Sequence, residues 1–600
     1  MTTNSVGEPH VDHSRARPPK GGEFTLRAVV CAMFVAAVIG GSYPYVVMKL
    51  GFGPNISVVS AFFGFMIFAS VLWFVRLLGF NPRQYNRWEN NIVQTAGTSA
   101  GQTAFLCVIM AAFDMLHQVP GLHFDLVLSR WQSFAWLTTA GVLGVLLAVP
   151  MRQHFVIDEK LTFADGIAAG ETLIVLDSRG AEARGATMSL SAGTIVSGIL
   201  MIFREDARVL ADVWYRIPEM MAFGASGQSM AFGVSWSLLS VGSGMLVGMR
   251  INASMLAGTL FSWYLMPPLL LEHGIVQALV RKQVLMWVMW PATGMLISGG
   301  LTALFMRWTI LVRTFKNLAH ANIESNDFPM SWVIWGSVAS SIALAIVQKV
   351  SLGMPIWMTL MAILFSVPLM LVGLRVMGET NWGPISALSN MMQAIFGIMC
   401  PGQVAANMVA SGVTGSVASQ SEGLMQDYKT GDMIGSTPRY LTYTQLMAVP
   451  VGAAAVSIVY PLLRDTYGIG GENGLQSPIS QKWAGFAQLL SKGLSALPPG
   501  AVAALLIAVV LGVLFTYLES TRFKHWTPSP TGLGIGALVP GSAIVAMFVG
   551  SVLEVVWGKV HKKSYDQHLI PLASGFVAGE ALVAVILPIL FTLKLLQMQP

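Results

Sequence analysis

Charge is what this sequence has least of. Only 11% of its 600 residues are Asp, Glu, Lys or Arg, against 54% hydrophobic, and mean hydropathy is +0.64. Soluble domains carry roughly 25% charged residues, so a folded chain of this composition has no surface suited to water. Lipid-facing surface can be apolar all round, which removes the difficulty. Cysteine is scarce as well: Cys31, Cys107 and Cys400 lie in apolar stretches as small hydrophobes and make no disulfide framework. No HExxH or nucleotide-binding P-loop occurs, which argues against an enzyme and against a pump with its own ATP motor. No cofactor is implied. The net charge of +6 is no nucleic-acid signal, because the basic residues are scattered between apolar runs.

Apolar runs are abundant. From Phe24 onward there are about 14 to 16 stretches near the ~20-residue length of a spanning helix. No interval between them holds a soluble domain, so single-span receptors and anchored enzymes are excluded. The expected fold is an all-α polytopic membrane protein, and the composition points to a secondary transporter of small solutes. Residues 1–23 read as a polar tail without a short secretory h-region. Residues 24–306 read as a first transmembrane half, 307–330 as a polar connection and 331–600 as a second half. Arg15, Arg17, Lys20 and Arg27 predict a cytoplasmic N-terminus. Arg76, Arg83 and Arg87, then Arg152, Lys160, Arg179 and Arg184, recur after successive pairs of crossings and agree. Expected spans include 92–116, 161–176 and 230–248. A small-residue stretch at 404–421 is expected to run into a loop, and 464–482 reads as a polar loop.

A faint repeat joins the halves. Val47-Met48 followed by Gly53-Pro54-Asn55-Ile56-Ser57 is echoed by Val376-Met377 followed by Gly383-Pro384-Ile385-Ser386, an offset of about 330 residues. A Gly/Ser/Thr-rich segment follows each, at 97–101 and 411–419. Duplicated halves with matched broken helices point to a midplane binding site.

Five segments carry polarity that hydrocarbon does not tolerate. Residues 88–101 hold Glu89, Asn90, Asn91, Gln94 and Thr95 among small residues, and Gly97 and Gly101 suit an unwound turn or a close helix approach. The segment reads as a cavity wall or as a helix interface with a polar end. Residues 160–172 hold Asp165 and Glu171, which point to different helix faces and so form no acid/base dyad. Either carries a coupling proton, or both stay in water on an interfacial helix. Residues 419–431 hold Ser419, Gln420 and Glu422, the deepest charge, with Asp427 and Lys429 read as closing a loop or forming an interfacial ion pair. Residues 526–536 hold Pro528, Pro530 and Gly532, read as a broken or re-entrant helix start with free amides. Glu580 lies inside the last span beside a GxxxG spacing. His117, His123 and Asp125 share a loop, but their spacing matches no strong metal site.

These segments together resemble the oligopeptide transporter family, which includes the yellow-stripe-like metal-chelate carriers, and the likeness is closest to its bacterial branch. Residues 89–95 are similar to the family's E-N-N-x-V-Q-T entry. Residues 424–431 resemble L-Q-D-x-K-T-G, and 435–439 the G-x-x-P-R that follows. Pro528-Ser529-Pro530 with Gly534-Ile535-Gly536 resembles the late P-S-P and G-I-G pair, and Gly579-Glu580 the closing G-E. The motifs keep family order over nearly the whole chain. Two departures stand out: Ala164-Asp165-Gly166 occupies a turn where the family commonly has Pro, and the fungal N-P-G and K-I-P-P-R signatures are not apparent.

The resemblance implies about 16 spans in two duplicated halves. It implies proton-coupled uptake of short peptides, modified peptides such as glutathione, or metal–chelate complexes. In a bacterium the place would be the cytoplasmic membrane. Asn90, Asn91, Gln94 and Thr95 are then expected to hold substrate from one half, with Ser419, Gln420 and Glu422 facing them from the other. Asp165, Glu171, Glu422 and Glu580 are the candidates for the coupling proton. A carrier of another solute class, or a membrane-embedded enzyme, are the alternatives.

Overall fold

The computed structural model describes residues 18, 22–50, 56–81, 83–119, 124, 126–161, 163–177, 181–204, 217–218, 220–306, 328–380, 383–470, 474–492, 498–523, 526–592 and 595. The repeat element at 51–55 and most of the 307–330 connection lie outside them.

The first half comprises α1 (Leu26–Leu50), α2 (Ile56–Leu77), α3 (Arg87–Phe105), α4 (Cys107–His117), α5 (Arg130–Ala148), α6 (Ala164–Asp177), α7 (Ala181–Phe203), α8 (Gly224–Met230), α9 (Leu238–Val247), α10 (Met249–Leu260), α11 (Met266–Glu272) and α12 (Arg281–Phe305). The second comprises α13 (Met330–Leu352), α14 (Ile356–Thr380), α15 (Ile385–Met399), α16 (Val404–Ile434), α17 (Pro438–Tyr467), α18 (Pro478–Lys492), α19 (Ala501–Glu519), α20 (Pro530–Leu538), α21 (Gly541–Val560) and α22 (Lys562–Thr592). The protein is thus an all-α polytopic membrane protein. Among the described residues, 11 helices are long and apolar enough to span a bilayer, and three other long helices, α12, α16 and α22, stand beside them. On α13 only 17% of the apolar window is buried, and Trp332, Trp335, Ile342 and Val350 point outward. Such a face is stable only against lipid.

The structure departs from the expected elements at four places. The 92–116 span breaks at Leu106, whose N–H bonds back to Thr103 O at 3.1 Å, and not at Gly97 or Gly101. Those glycines sit in unbroken helix and serve packing: a Cβ on Gly97 would stand 2.6 Å from Ser60 Cβ, and one on Gly101 2.7 Å from Ile56 Cδ1. The 230–248 span is reduced to α9, because β1 (Met220–Ala222) pairs antiparallel with β2 (Gly233–Ser235) and Ser237 caps the helix that follows. The 404–421 stretch does not end in a loop; α16 continues through Glu422 and Asp427 to Ile434, where Gly435 adopts a left-handed conformation. The 464–482 stretch is not wholly loop, since Pro478 opens α18 and Trp483 is fully buried.

Small residues bring the central helices together at backbone distance. A Cβ on Gly40 (α1) would lie 3.0 Å from Gly452 Cα (α17), and one on Gly452 would lie 2.8 Å from Ala100 Cα (α3). A Cβ on Gly144 (α5) would lie 2.9 Å from Val417 Cα on α16. Close approach of this kind substitutes for the hydrophobic effect inside lipid.

Candidate functional site

Helix α3 starts at Asn86, whose side chain accepts the Glu89 N–H at 2.9 Å. Residues 91, 94, 95, 98, 99 and 102 then recur at helical spacing and form one polar stripe. The stripe packs against α16 and α17. Asn91 Nδ2 donates to Ser436 Oγ (2.9 Å). Gln94 Nε2 donates to Asp427 Oδ1 (2.6 Å), and Gln445 Nε2 on α17 donates to Asp427 Oδ2 (2.7 Å). Gln420 Nε2 donates to Ser99 O (3.1 Å) and Thr103 Oγ1 (2.8 Å), and Ser419 Oγ donates to Gln102 Oε1 (2.6 Å). The polar residues predicted in separate halves therefore meet in one buried seam.

The seam is not satisfied internally. Asn91 Oδ1, Gln94 Oε1, Thr95 Oγ1, Glu422 Oε1 and Gln445 Oε1 are buried without a protein partner. On α15, Asn390 is 1% exposed and neither its Oδ1 nor its Nδ2 is bonded. Each unsatisfied buried group costs about 1–3 kcal/mol, and most here are acceptors. Glu422 forms no hydrogen bond or ion pair among the described residues. Its carboxylate is cradled by two glycines: a Cβ on Gly373 would stand 3.3 Å from Oε1, and one on Gly383 would stand 3.3 Å from Cδ.

Other expected residues fall elsewhere. Asn90 is on the flank of α3 that meets α2, donating to Ala61 O (3.1 Å) and accepting from Tyr85 Oη (3.1 Å), so it ties α3 to α2 and makes no bond across the seam. The helix period puts 90 with 93, 97 and 101, a separation the E-N-N run alone does not display. Glu89 is held by Thr25, Arg27 and Arg83. Asp165 is half-buried at the start of α6, which docks on α16 through Thr430 Oγ1 to Gly166 O (2.8 Å), while Glu171 is exposed. Glu580 accepts from Lys49 Nζ (3.0 Å), Ser237 Oγ (2.9 Å) and Leu239 N (3.0 Å) and forms an ion pair with Arg204 Nη1 (2.9 Å), bolting α22 to α1, α7 and α9. Pro530 is the first residue of α20, but the amides there are not free: Ser529 Oγ accepts the Gly532 N–H (3.3 Å), and Ser529 N donates to Ser254 Oγ (2.9 Å). Pro528 lies in the turn before that cap. His123 and Asp125 are outside the described residues, and no cluster of three metal-ligating side chains occurs among those described.

Asp427 and Gln445 were missed. The neighbouring Lys429 suggested a loop pair, yet Asp427 is fully buried and its partners are amides. The signal was present in the 420–427–430 register, which continues the polar face of the small-residue stretch. A separate cavity of about 430 Å³ between α10, α12, α19 and α20 is lined by Pro291, Met295, Leu511 and Phe515, with Ser262 its one polar side chain. It offers a polar solute almost nothing to bond.

A family profile described as OPT oligopeptide transporter protein matches residues 23–591. The chain is 24% identical to the metal-nicotianamine transporter YSL2 of Arabidopsis thaliana, over 95% of this chain and 93% of that protein. It is 23% identical to the iron-phytosiderophore transporter YSL15 of Oryza sativa subsp. japonica, over 96% and 94%. It is 22% identical to the iron-phytosiderophore transporter yellow stripe 1 of Zea mays, over 93% and 89%. With a match of this extent, the chain belongs to the oligopeptide transporter family and is an integral membrane transporter, not an enzyme.

Proposed function

We propose that this protein is a proton-coupled symporter that imports metal–chelate complexes or short and modified peptides by alternating access. The halves 24–306 and 331–600 contribute one wall each to the substrate path. One observation carries the reading: the row of unsatisfied buried acceptors shared between α3, α16 and α17. Such a wall recognises solutes rich in N–H donors, which peptides and amino-acid-derived chelators are. Asn91, Gln94, Thr95, Ser419 and Gln420 take the polar backbone of the solute. Glu422 takes its cationic end, because a buried carboxylate without a counter-ion favours one strongly. The relatives named for metal-nicotianamine and iron-phytosiderophore transport favour the chelate class. The basic residues 15, 17, 20 and 27 favour a cytoplasmic N-terminus, in the inner membrane if the source is bacterial.

The test is uptake by proteoliposomes with and without an inward acid gradient. A short-peptide pool, glutathione and an iron chelate are offered, and the lumen is read by mass spectrometry. Gradient-driven accumulation of one class supports the reading and names the substrate. Accumulation of none, with folding and orientation verified, removes it.

A further inference from the structure

Among the described residues, the buried carboxylates Glu89 and Glu580 have cations: Glu89 has Arg27 and Arg83, and Glu580 has Lys49 and Arg204. Asp427 has none among the described residues. Its two oxygens are held by neutral amides from two other helices, Gln94 Nε2 at 2.6 Å and Gln445 Nε2 at 2.7 Å. The opposite atom of each amide, Gln94 Oε1 and Gln445 Oε1, is buried with no partner.

This arrangement satisfies two protonation states with the same three side chains. Ionised, Asp427 accepts from both glutamines, as observed. With a proton on one oxygen it needs an acceptor, and either glutamine supplies one by turning its amide end for end. Gln445 turns without giving up another bond, whereas Gln94 also gives up its donation to Thr98 Oγ1 (2.9 Å); the proton comes from water on one side and leaves to water on the other. The turn has two consequences. Two charge-assisted bonds that clamp α3 and α17 to α16 give way to weaker neutral ones. The unpartnered atom of the turned glutamine also changes from an acceptor to a donor.

The charged and titratable groups on the surrounding helices are engaged elsewhere or do not bond it. On α3, Arg87 lies over Trp88 and Glu89 is paired with Arg27. Arg152, beyond α5, lies over Tyr428, Arg375 on α14 pairs with Glu159, and Arg439 on α17 lies over Tyr440. Asp165 on α6, Lys482 on α18, and Glu422, Tyr428 and Lys429 on α16 itself make no bond to it. The charged groups of α17's far end, Arg464 and Asp465, pair with each other.

We propose that Asp427 is the carrier of the coupling proton, with Gln94 and Gln445 as its positioning residues. The proposal rests on the proton-coupled reading above. It moves the role away from Asp165, Glu171, Glu422 and Glu580.

The experiment is the proteoliposome assay on purified full-length protein. Wild type is expected to accumulate more substrate with the acid gradient than without, and Asp427→Asn to give a ratio near one. Gln445→Met is expected to keep coupling while displacing the pH profile of uptake to more alkaline pH, since the ionised carboxylate loses a donor. A merely structural glutamine would lower uptake at every pH alike. Full gradient dependence in Asp427→Asn overturns the proposal and leaves the proton-coupled reading standing. Wild type without gradient dependence overturns both. If Asp427→Asn does not fold, an unchanged pH profile in Gln445→Met overturns the proposal.

Discussion

Glu580 and Lys49 lie 531 positions apart and meet at 3.0 Å, and Arg204 reaches the same carboxylate oxygen at 2.9 Å. Removing the anion shared by two buried cations costs about 3–5 kcal/mol. Glu580→Gln is therefore expected to lower thermal stability by that amount and to depress uptake evenly across pH. Lys49→Met is milder, because Arg204 remains. Thermal unfolding in detergent and a pH profile of uptake check both points. A selective shift of the profile would make Glu580 a proton carrier and not a bolt.

Gly97 leaves no room for a side chain against Ser60. Gly97→Ala is expected to destabilise by about 1–3 kcal/mol through overpacking. Adding Ser60→Gly removes the opposing Cβ and should recover part of the loss. Unfolding midpoints of the two single variants and the double variant form the cycle that measures it.

Glu422 has no partner and two glycines shaped around it. A hydrogen bond from a substrate cation to a carboxylate is worth about 1.5–3 kcal/mol. Glu422→Gln should thus raise the apparent KM for a cationic substrate by about 10- to 100-fold. Gly383→Ala should do the same to a lesser degree by displacing the carboxylate. Concentration-dependent uptake decides, and an unchanged KM removes Glu422 from the substrate wall.

Glu23, just ahead of α1, is 3% exposed and accepts the Thr437 N–H at 2.7 Å. Burial pushes its carboxyl above the ordinary value of 4.5, against the opposing pull of Thr437, Ser436 and Arg439. A raised folded value means the anchoring of this segment is strongest below the ordinary carboxylate range and is lost as pH rises through the folded value. Hydrogen exchange around Glu23 and Thr437, corrected for intrinsic rates, should show protection falling over that window. Glu23→Gln keeps an acceptor without the charge, and its protection should not vary.

The membrane class and most helices were legible in hydropathy, because lipid demands apolar surface wherever it touches. What escaped was the part that lipid does not touch. Helix α16 is rich in Gly, Ser, Thr and Gln and almost entirely buried in protein, so hydropathy read its second half as a loop. Helix α18 was hidden by the polar residues before Pro478 for the same reason. The α3 stripe was half legible: Asn91, Gln94 and Thr95 recur on the stripe, whereas Asn90, adjoining in sequence, is turned toward α2 by the helix. The small-residue content of 97–101 was legible, but not whether it bends the helix or lets another helix in. The partner helix decides that, through Ser60 and Ile56.

The contacts of Gly40 with Gly452 and of Gly452 with Ala100 join three central helices through bare backbone. At these two points no side chain stands between the helices. Side chains pack on either side of them, where Phe24 stacks on Tyr440 and Tyr45 meets Tyr467. The bare contacts set how near the three helices stand, and the polar bonds of the seam set their register.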